Sequence, residues 1–191
     1  MSSLQRTPEW FKARRGRITA SIAAACLGLD LYTSRQKAWR IILGTEPERD
    51  SRSMAWGREF EHMAINAYEA ITGELVTPAG LVVHRQHNWL AASPDGLVGE
   101  HGLVEIKCPK IVPAEIPLRH RIQMLVQLAC TGRQWCDYFA FSTTTVCLRM
   151  DRPSDGAIEG LIDKLHKFYM AYIVPQIEPP RKKVLRKKRS V

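Results

Sequence analysis

The sequence has no long apolar run, and so nothing near the ~20 residues needed to span a bilayer. It has no Cys-x-x-Cys pair, which argues against a zinc ribbon or an iron–sulfur cluster. The cysteines are five, Cys26, Cys108, Cys130, Cys136 and Cys147, an odd number. The opening Met1-Ser2-Ser3-Leu4-Gln5-Arg6 lacks the apolar stretch of a secretory signal. A disulfide framework is therefore not expected, and the cysteines read as small core residues. The six histidines form no cluster at metal spacing; His84 and His87 lie three apart in a turn-prone segment and read as structural or surface residues. No internal repeat of solenoid period is visible. Aromatic residues are 8% of the chain, and no strand presents them in a repeating row. Trp10, Trp39, Trp56, Trp89 and Trp135 accordingly read as core residues rather than base-stacking platforms.

What remains is an ordinary globular composition. Hydrophobic residues make up 45% and charged residues 25% of 191, which suits one domain. Basic residues outnumber acidic ones 28 to 19, a net charge of +9. Seven of the basic residues, Arg181, Lys182, Lys183, Arg186, Lys187, Lys188 and Arg189, sit together near the end with no acid among them, and without them the balance is +2. Such a tail attracts polyanions such as nucleic acid, and it serves equally well as a solvated end that keeps a protein soluble.

The pattern predicts helices first. Thr7-Pro8-Glu9 is a start signal, an N-cap followed by Pro at the first helical position. Short helices are expected over 19–27 and 34–43, stopped by Gly28 and Gly44. A longer one is expected over 54–71, with Trp56, Phe60, Met63, Ala67 and Ile71 as its apolar stripe. The period then changes. Leu81-Val82-Val83, Trp89-Leu90-Ala91, Gly96-Leu97-Val98 and Leu103-Val104-Glu105-Ile106-Lys107 read as a strand meander. A helix over 118–130, strands over 135–141 and 144–149, and an amphipathic helix over 154–173 stopped by Pro175 complete the chain. The expected fold is α/β (α+β), a central mixed sheet flanked by helices, in one domain over 1–174. Within it, 7–73 is helical, 74–150 holds the sheet, 154–173 is the last helix, and 175–191 is a basic tail.

The segment richest in chemistry is Ser93-Pro94-Asp95-Gly96, followed by Glu105-Ile106-Lys107. On a strand, Glu105 and Lys107 share one face, while Val104 and Ile106 point into the core. Pro94 and Gly96 hold Asp95 at a turn. Pairing Val98 with Leu103 would set Glu105 opposite Gly96, so convergence with Asp95 would need a turn or a bulge. Two carboxylates and the Ile106 carbonyl suit a hard cation such as Mg²⁺. On spacing alone, a solvated hairpin aspartate and an edge-strand Glu–Lys pair fit the pattern more often than a metal site does.

Four sequence words occur in order: Trp10-(x)3-Arg14-Arg15-Gly16-Arg17-Ile18-Thr19-Ala20-Ser21, Ala55-Trp56-Gly57-Arg58-Glu59-Phe60-Glu61, Ser93-Pro94-Asp95-Gly96, and Glu105-Ile106-Lys107-Cys108-Pro109. Pro94-Asp95 with Glu105-Ile106-Lys107 resembles the P-D…(D/E)-x-K signature of the restriction-endonuclease-like nucleases. The four together resemble the phage lambda exonuclease family, also called YqaJ-type viral recombinases, over roughly positions 10 to 141.

The resemblance implies a restriction-endonuclease-like core and a metal-dependent deoxyribonuclease, a 5′→3′ exonuclease on double-stranded DNA ends. It implies Asp95, Glu105 and the Ile106 carbonyl as Mg²⁺ ligands (Mn²⁺ a possible substitute), Glu61 as an acid for a second metal, and Lys107 as the catalytic lysine. Arg14 and Ser21 match positions that hold the DNA 5′-phosphate, with Arg15 and Arg17 ranked lower. Gln123 matches the family's glutamine motif; Gln127, on the same helix face, fits that motif or a polar boundary position. Taken without the resemblance, Glu61 reads as an exposed helix Glu and Arg14 as solvated. Further implications are a homotrimeric ring threaded by DNA, 3′ single-stranded overhangs as product, a single-strand annealing protein as recombination partner, no membrane, and a phage or prophage origin in a bacterial cytoplasm. A sequence-specific or structure-specific endonuclease of the same fold and a non-enzymatic DNA-binding adaptor are the alternatives. A sequence-specific enzyme would need extra segments for base readout, and this short chain shows no obvious spare recognition module.

Overall fold

Thr7 caps the first helix, its hydroxyl accepting the Trp10 N–H at 3.2 Å, and Pro8 occupies the first helical position. The computed structural model describes residue 5 and residues 7–46, 52–142 and 145–177. The tail arginines and lysines at 181–189, and the expected strand start at 144, lie outside the described residues. In chain order the elements are α1 (Pro8–Arg14), β1 (Ile18–Thr19), α2 (Ala20–Cys26), α3 (Arg35–Leu43), α4 (Arg52–Thr72), β2 (Val76–Thr77), β3 (Val82–Val83), β4 (Leu90–Ala92), β5 (Gly96–Val98), β6 (Gly102–Lys107), α5 (Leu118–Thr131), β7 (Trp135–Phe141), β8 (Thr145–Asp151) and α6 (Asp155–Phe168). A π-helical turn, Tyr169–Ile173, and α7 (Val174–Ile177) follow.

The strands form two sheets rather than one meander. A three-stranded sheet has the order β1-β4-β3, and a five-stranded sheet has the order β2-β5-β6-β7-β8. Only β6 and β7 run parallel in the larger sheet, so it is mixed, as expected. The chain changes sheets between β4 and β5, across Ser93-Pro94-Asp95. Pro94 has no N–H to continue a ladder, which is where the run of strands breaks. The short β1 and β2, two residues each, had no sequence signal of their own.

Alternation along β6 and β7 sorts their side chains onto two helices. Val104, Ile106 and Phe139 pack with Ala64 and Tyr68 of α4. Leu103, Cys136, Tyr138 and Ala140 pack with Met124 and Leu128 of α5. The sheet is thus buried on both faces, and Glu105 points into an interior layer, not to an edge. A third and larger core joins α2, α3, α5, α6 and the small sheet.

Three expectations are corrected. The inward face of α4 is Ala64 and Tyr68, both fully buried, whereas Trp56, Met63 and Ile71 are 47–62% exposed. Apolar residues lie on both sides of this helix, and the smaller set fits the tight contact with β6. Trp56 therefore is not core; it stacks on Phe60 at 4.2 Å. Pro175 does not stop the last helix, which continues to Ile177. Its ring would crowd the carbonyl four residues back, and the chain answers with the π turn just before it. Cys26, Cys130 and Cys136 are core residues as expected, but Cys147 is exposed on the outer strand β8.

Candidate active site

The β5–β6 hairpin pairs Val98 with Gly102, Leu97 with Leu103 and Gly96 with Val104. This is one residue off the expected register. Gly102 opens the ladder beside Trp135, where a Cβ would lie 2.1 Å from the ring and only glycine fits. The shift has a consequence: continued past the last pair, the register sets Asp95, not Gly96, across from Glu105. Gly96 itself is required, since a Cβ there would lie 2.1 Å from Val76 Cγ1. No bulge is needed to bring the two acids to the same level of the sheet.

Asp95 immediately precedes β5, and its side chain stands in for a longer strand. Its Oδ2 accepts the backbone N–H of Ile106 at 2.8 Å, the donor that a longer β5 would otherwise have satisfied. Glu105 is fully buried and accepts three hydrogen bonds. Its Oε1 accepts from the Lys107 ammonium and from Gln123 Nε2 at 2.6 Å, and its Oε2 accepts from Gln127 Nε2. A buried carboxylate is tolerated only when it is satisfied in this way. Gln127 is itself fully buried, so it is no boundary residue. Its carbonyl oxygen faces Cys136 Sγ at 3.9 Å.

Charge at the site is unbalanced. Burial first, then the Glu105 charge, with a further push from Glu61, raises the Asp95 carboxyl to about 8, while Lys107 and the Ile106 N–H pull it down. Burial opposes the charge on Lys107, but Glu105 and Asp95 more than offset this and hold the amine protonated. Glu61 lies on the buried side of α4, three residues before Ala64, and adds negative potential at both Asp95 and Cys108. Among the described residues no three His, Cys, Asp or Glu side chains gather into one metal-holding group. The site has two coupled carboxylates, with Glu61 a third acid at longer range. That donor set fits a hard divalent cation, which takes few carboxylates and keeps several waters. Ionising Asp95 beside Glu105 would leave two carboxylates against one ammonium, and a bound cation offsets that excess.

The arginine-rich first word of the sequence folds beside this centre. Arg14, Arg15, Arg17 and Thr19 line a cleft of about 410 Å³. The Arg14 guanidinium stacks over the Trp10 ring at 4.1 Å, and Trp10 Nε1 donates to Ser93 Oγ at 3.0 Å, two residues before Asp95. Gln5 Nε2 donates to the Pro94 carbonyl at 3.0 Å. The arginine cleft and the acid pair are thus tied through one short strand exit. Arg17 is committed to the backbone, donating to the Asn88 and Ala13 carbonyls. Arg15 lies across Gly44. Ser21 is exposed on α2, its hydroxyl 3.4 Å from that of Thr19.

Sequence reasoning missed one group. His120 sits on α5, three residues before Gln123 and seven before Gln127, so helical spacing puts it on the same face. Its Nδ1 lies 3.1 Å from the Tyr138 hydroxyl, and its Nε2 accepts from Arg119 Nε at 3.0 Å. His84, in contrast, uses Nδ1 to accept the Gln86 and His87 N–H groups at 3.2 Å, a structural role.

The family model described as the YqaJ-like viral recombinase domain matches residues 9–134. No curated protein matches the chain. The alkaline exonuclease LHK-Exo from Laribacter hongkongensis is 34% identical, with 90% of this chain and 94% of that chain covered and a TM-score of 0.75. LHK-Exo in complex with dAMP gives 35% identity, the same coverage and a TM-score of 0.77. A phage-related exonuclease from Haemophilus somnus 129PT is 12% identical over 85% of this chain and 94% of that chain, TM-score 0.57, a likeness of fold alone. The described residues contain no helix long and apolar enough to cross a membrane. With two thirds of its length under the family model and an exonuclease relative at a third identity, the chain belongs to the YqaJ-like viral recombinase family and is a nuclease of the lambda-exonuclease type.

Proposed function

We propose that this nuclease is a Mg²⁺-dependent 5′→3′ exonuclease that digests one strand of linear double-stranded DNA and leaves 3′ single-stranded overhangs. The observation that carries this reading is the buried Glu105 carboxylate, gripped by Lys107, Gln123 and Gln127 and coupled to Asp95 at the end of a strand. Asp95 and Glu105, with the Ile106 carbonyl, would hold the ion, Glu61 would support a second, and Mn²⁺ would substitute. When bound, the ion lowers the pKa of a coordinated water and offsets charge on the scissile phosphate. Lys107, whose ammonium contacts Glu105, would act as a donor and a positive charge toward that phosphate. Gln123 and Gln127 fix the Glu105 rotamer, so the carboxylate needs no reorganisation during the reaction.

The 5′ polarity rests on the arginine cleft. Arg14 has a planar fork suited to phosphate, and the Trp10–Ser93 link sets its distance from Asp95. Ser21, at the start of α2, supplies a hydroxyl on the same side; Arg15 and Arg17 act there through packing and backbone bonds. The binding of dAMP by LHK-Exo supports nucleotide recognition in the same fold. A trimeric ring around the duplex gives processivity, since an enclosed strand cannot leave between cuts. The overhangs would be taken up by a single-strand annealing protein.

The test is digestion of linear duplexes with and without 5′-phosphates, and of covalently closed circles, in Mg²⁺ and in EDTA. Loss of the phosphorylated strand from its 5′ end in Mg²⁺ alone, with circles intact, is the expected result. Cutting of circles would make the enzyme an endonuclease. Full activity in EDTA would remove the metal from the reading.

A further inference from the structure

Arg119 lies in the first turn of α5, four residues before Gln123, and its side chain is held from two directions. Its Nε donates to His120 Nε2 at 3.0 Å. Its guanidinium lies over the Tyr32 ring at 4.5 Å. The first bond fixes the imidazole. With Nε2 accepting, a neutral His120 carries its proton on Nδ1 and donates it to the Tyr138 hydroxyl at 3.1 Å. Burial, with Lys107 and Arg119 adding positive charge, pushes His120 down to about 3, so the ring is neutral at working pH. Tyr138 is 1% exposed and pairs in register with Glu105 on the neighbouring strand. An unbroken path of contacts thus runs from the catalytic strand through Tyr138 and His120 to Arg119.

This anchoring uses only one of the five guanidinium donors. The four N–H bonds on the terminal nitrogens are left, and among the described residues no carboxylate pairs with them. Tyr32, the shelf beneath the guanidinium, is 75% exposed, so the arginine sits at the solvent boundary. It is near enough to Tyr138 to act on it electrostatically, as Lys107 and Glu105 also do. A pre-oriented fork with no carboxylate partner among the described residues, within electrostatic reach of Tyr138 beside Glu105, suits a substrate phosphate. Its planar stack on an aromatic ring cuts the rotamer freedom it would otherwise lose on binding.

We propose that Arg119, shelved on Tyr32 and clamped by His120 and Tyr138, binds a backbone phosphate of the DNA next to the one being cut. The assignment rests on the nuclease reading above and adds a substrate contact to it. Arg119 is a binding residue; His120 and Tyr32 position it.

The experiment is steady-state digestion of a 5′-phosphorylated duplex in Mg²⁺ over a series of KCl concentrations, with wild type, Arg119→Ala, Arg119→Lys and Tyr32→Ala. Arg119→Ala should raise KM about tenfold with kcat changed less than about twofold, the loss of one charge-assisted contact. The slope of log(kcat/KM) against log[KCl] should become shallower by about 0.9, one phosphate's worth of released counterion. Arg119→Lys should keep the wild-type slope while losing part of the affinity, because it keeps the charge without the fork. Tyr32→Ala should raise KM and leave the slope unchanged. A raised KM in Arg119→Ala with the wild-type slope would make the residue merely structural and overturn the proposal. An unchanged KM would overturn it too. Wild type inert on every DNA would overturn the nuclease reading and this inference together, a result distinct from either failure in the variant alone.

Discussion

Gln127 and Glu105, both fully buried, face each other between helix α5 and strand β6, the amide donating to the carboxylate. The glutamine oxygen is turned the other way, toward Cys136. Both side chains are 0% exposed, and among the described residues the amide is the group that replaces water on that oxygen of Glu105. Gln127→Leu, close in volume, should destabilise the protein by about 1–3 kcal/mol, the usual cost of stranding a buried acceptor. Urea unfolding monitored by circular dichroism checks this. Nuclease activity should fall as well, because Glu105 loses one of the bonds that hold its rotamer. Wild-type stability in Gln127→Leu would mean that the contact is dispensable.

The elevated Asp95 pKa makes a pH prediction with a definite sign. Unfolded, the carboxyl titrates near 3.8; folded and metal-free, near 8. Between those values the folded state binds more protons than the unfolded one, so stability of the metal-free protein falls as pH rises through that window. A cation competes with that proton and binds better as pH approaches and passes 8. Mg²⁺ should therefore raise Tm by about 2–4 °C more at pH 8.5 than at pH 6, read by thermal melts with and without the ion. Asp95→Asn keeps an acceptor for the Ile106 N–H and loses the proton, so the dependence on pH should flatten in that variant. Equal Mg²⁺ stabilisation at both pH values in the wild type would separate Asp95 from the metal.

The candidate site's residues stood out as local words, but the resemblance, not their spacing, marked them as a site. Pro94 and Gly96 bracket Asp95, and Glu105 and Lys107 share a strand face by simple alternation. The register was not legible, because it turns on whether Gly102 belongs to the loop or to the strand. That depends on Trp135, more than thirty residues further on, whose ring leaves no room for a Cβ. The inward face of α4 was misread for a related reason. Trp56 and Met63 carry the larger hydrophobic signal, but contact with β6 and β7 selects Ala64 and Tyr68, whose hydroxyl reaches Asp137. The Arg119–His120–Tyr138 path joins a helix to a strand, and only the helical spacing of His120 with Gln123 and Gln127 could have pointed to it.

Lys107 separates binding from chemistry. It contacts Glu105 and sits within the field of Asp95, and it is the ammonium closest to the acid pair. Lys107→Met retains the aliphatic stem and removes the charge. Its digestion rate should fall roughly 10²-fold or more, the typical loss when a preorganised transition-state donor is deleted. Affinity for duplex DNA should change far less, since the arginine cleft is untouched. Single-turnover digestion and a gel-shift titration measure the two quantities. A large loss of affinity with a normal single-turnover rate would assign Lys107 to substrate binding instead.

The opposite face of the same sheet holds a second buried acid that should matter for stability and not for catalysis. Asp137, on β7, is 1% exposed. Its Oδ2 accepts the Tyr68 hydroxyl at 2.8 Å and Arg149 at 2.9 Å, and its Oδ1 accepts Arg149 Nε at 2.8 Å. The Arg149 guanidinium also covers the Trp135 ring at 3.7 Å. Burial first, then the bond to Asp137, raises the Tyr68 pKa, so the phenol stays a donor. The group pins helix α4, which carries Glu61, to the strand next to Glu105. Tyr68→Phe removes one charge-assisted hydrogen bond and should cost about 1.5–3 kcal/mol. Its kcat should stay within about twofold of wild type, because α4 keeps its packing through Ala64 and the ring itself. Urea unfolding and steady-state digestion of the same preparation decide it. A fall in kcat with unchanged stability would show that Tyr68 acts on the catalytic face, through the position of Glu61.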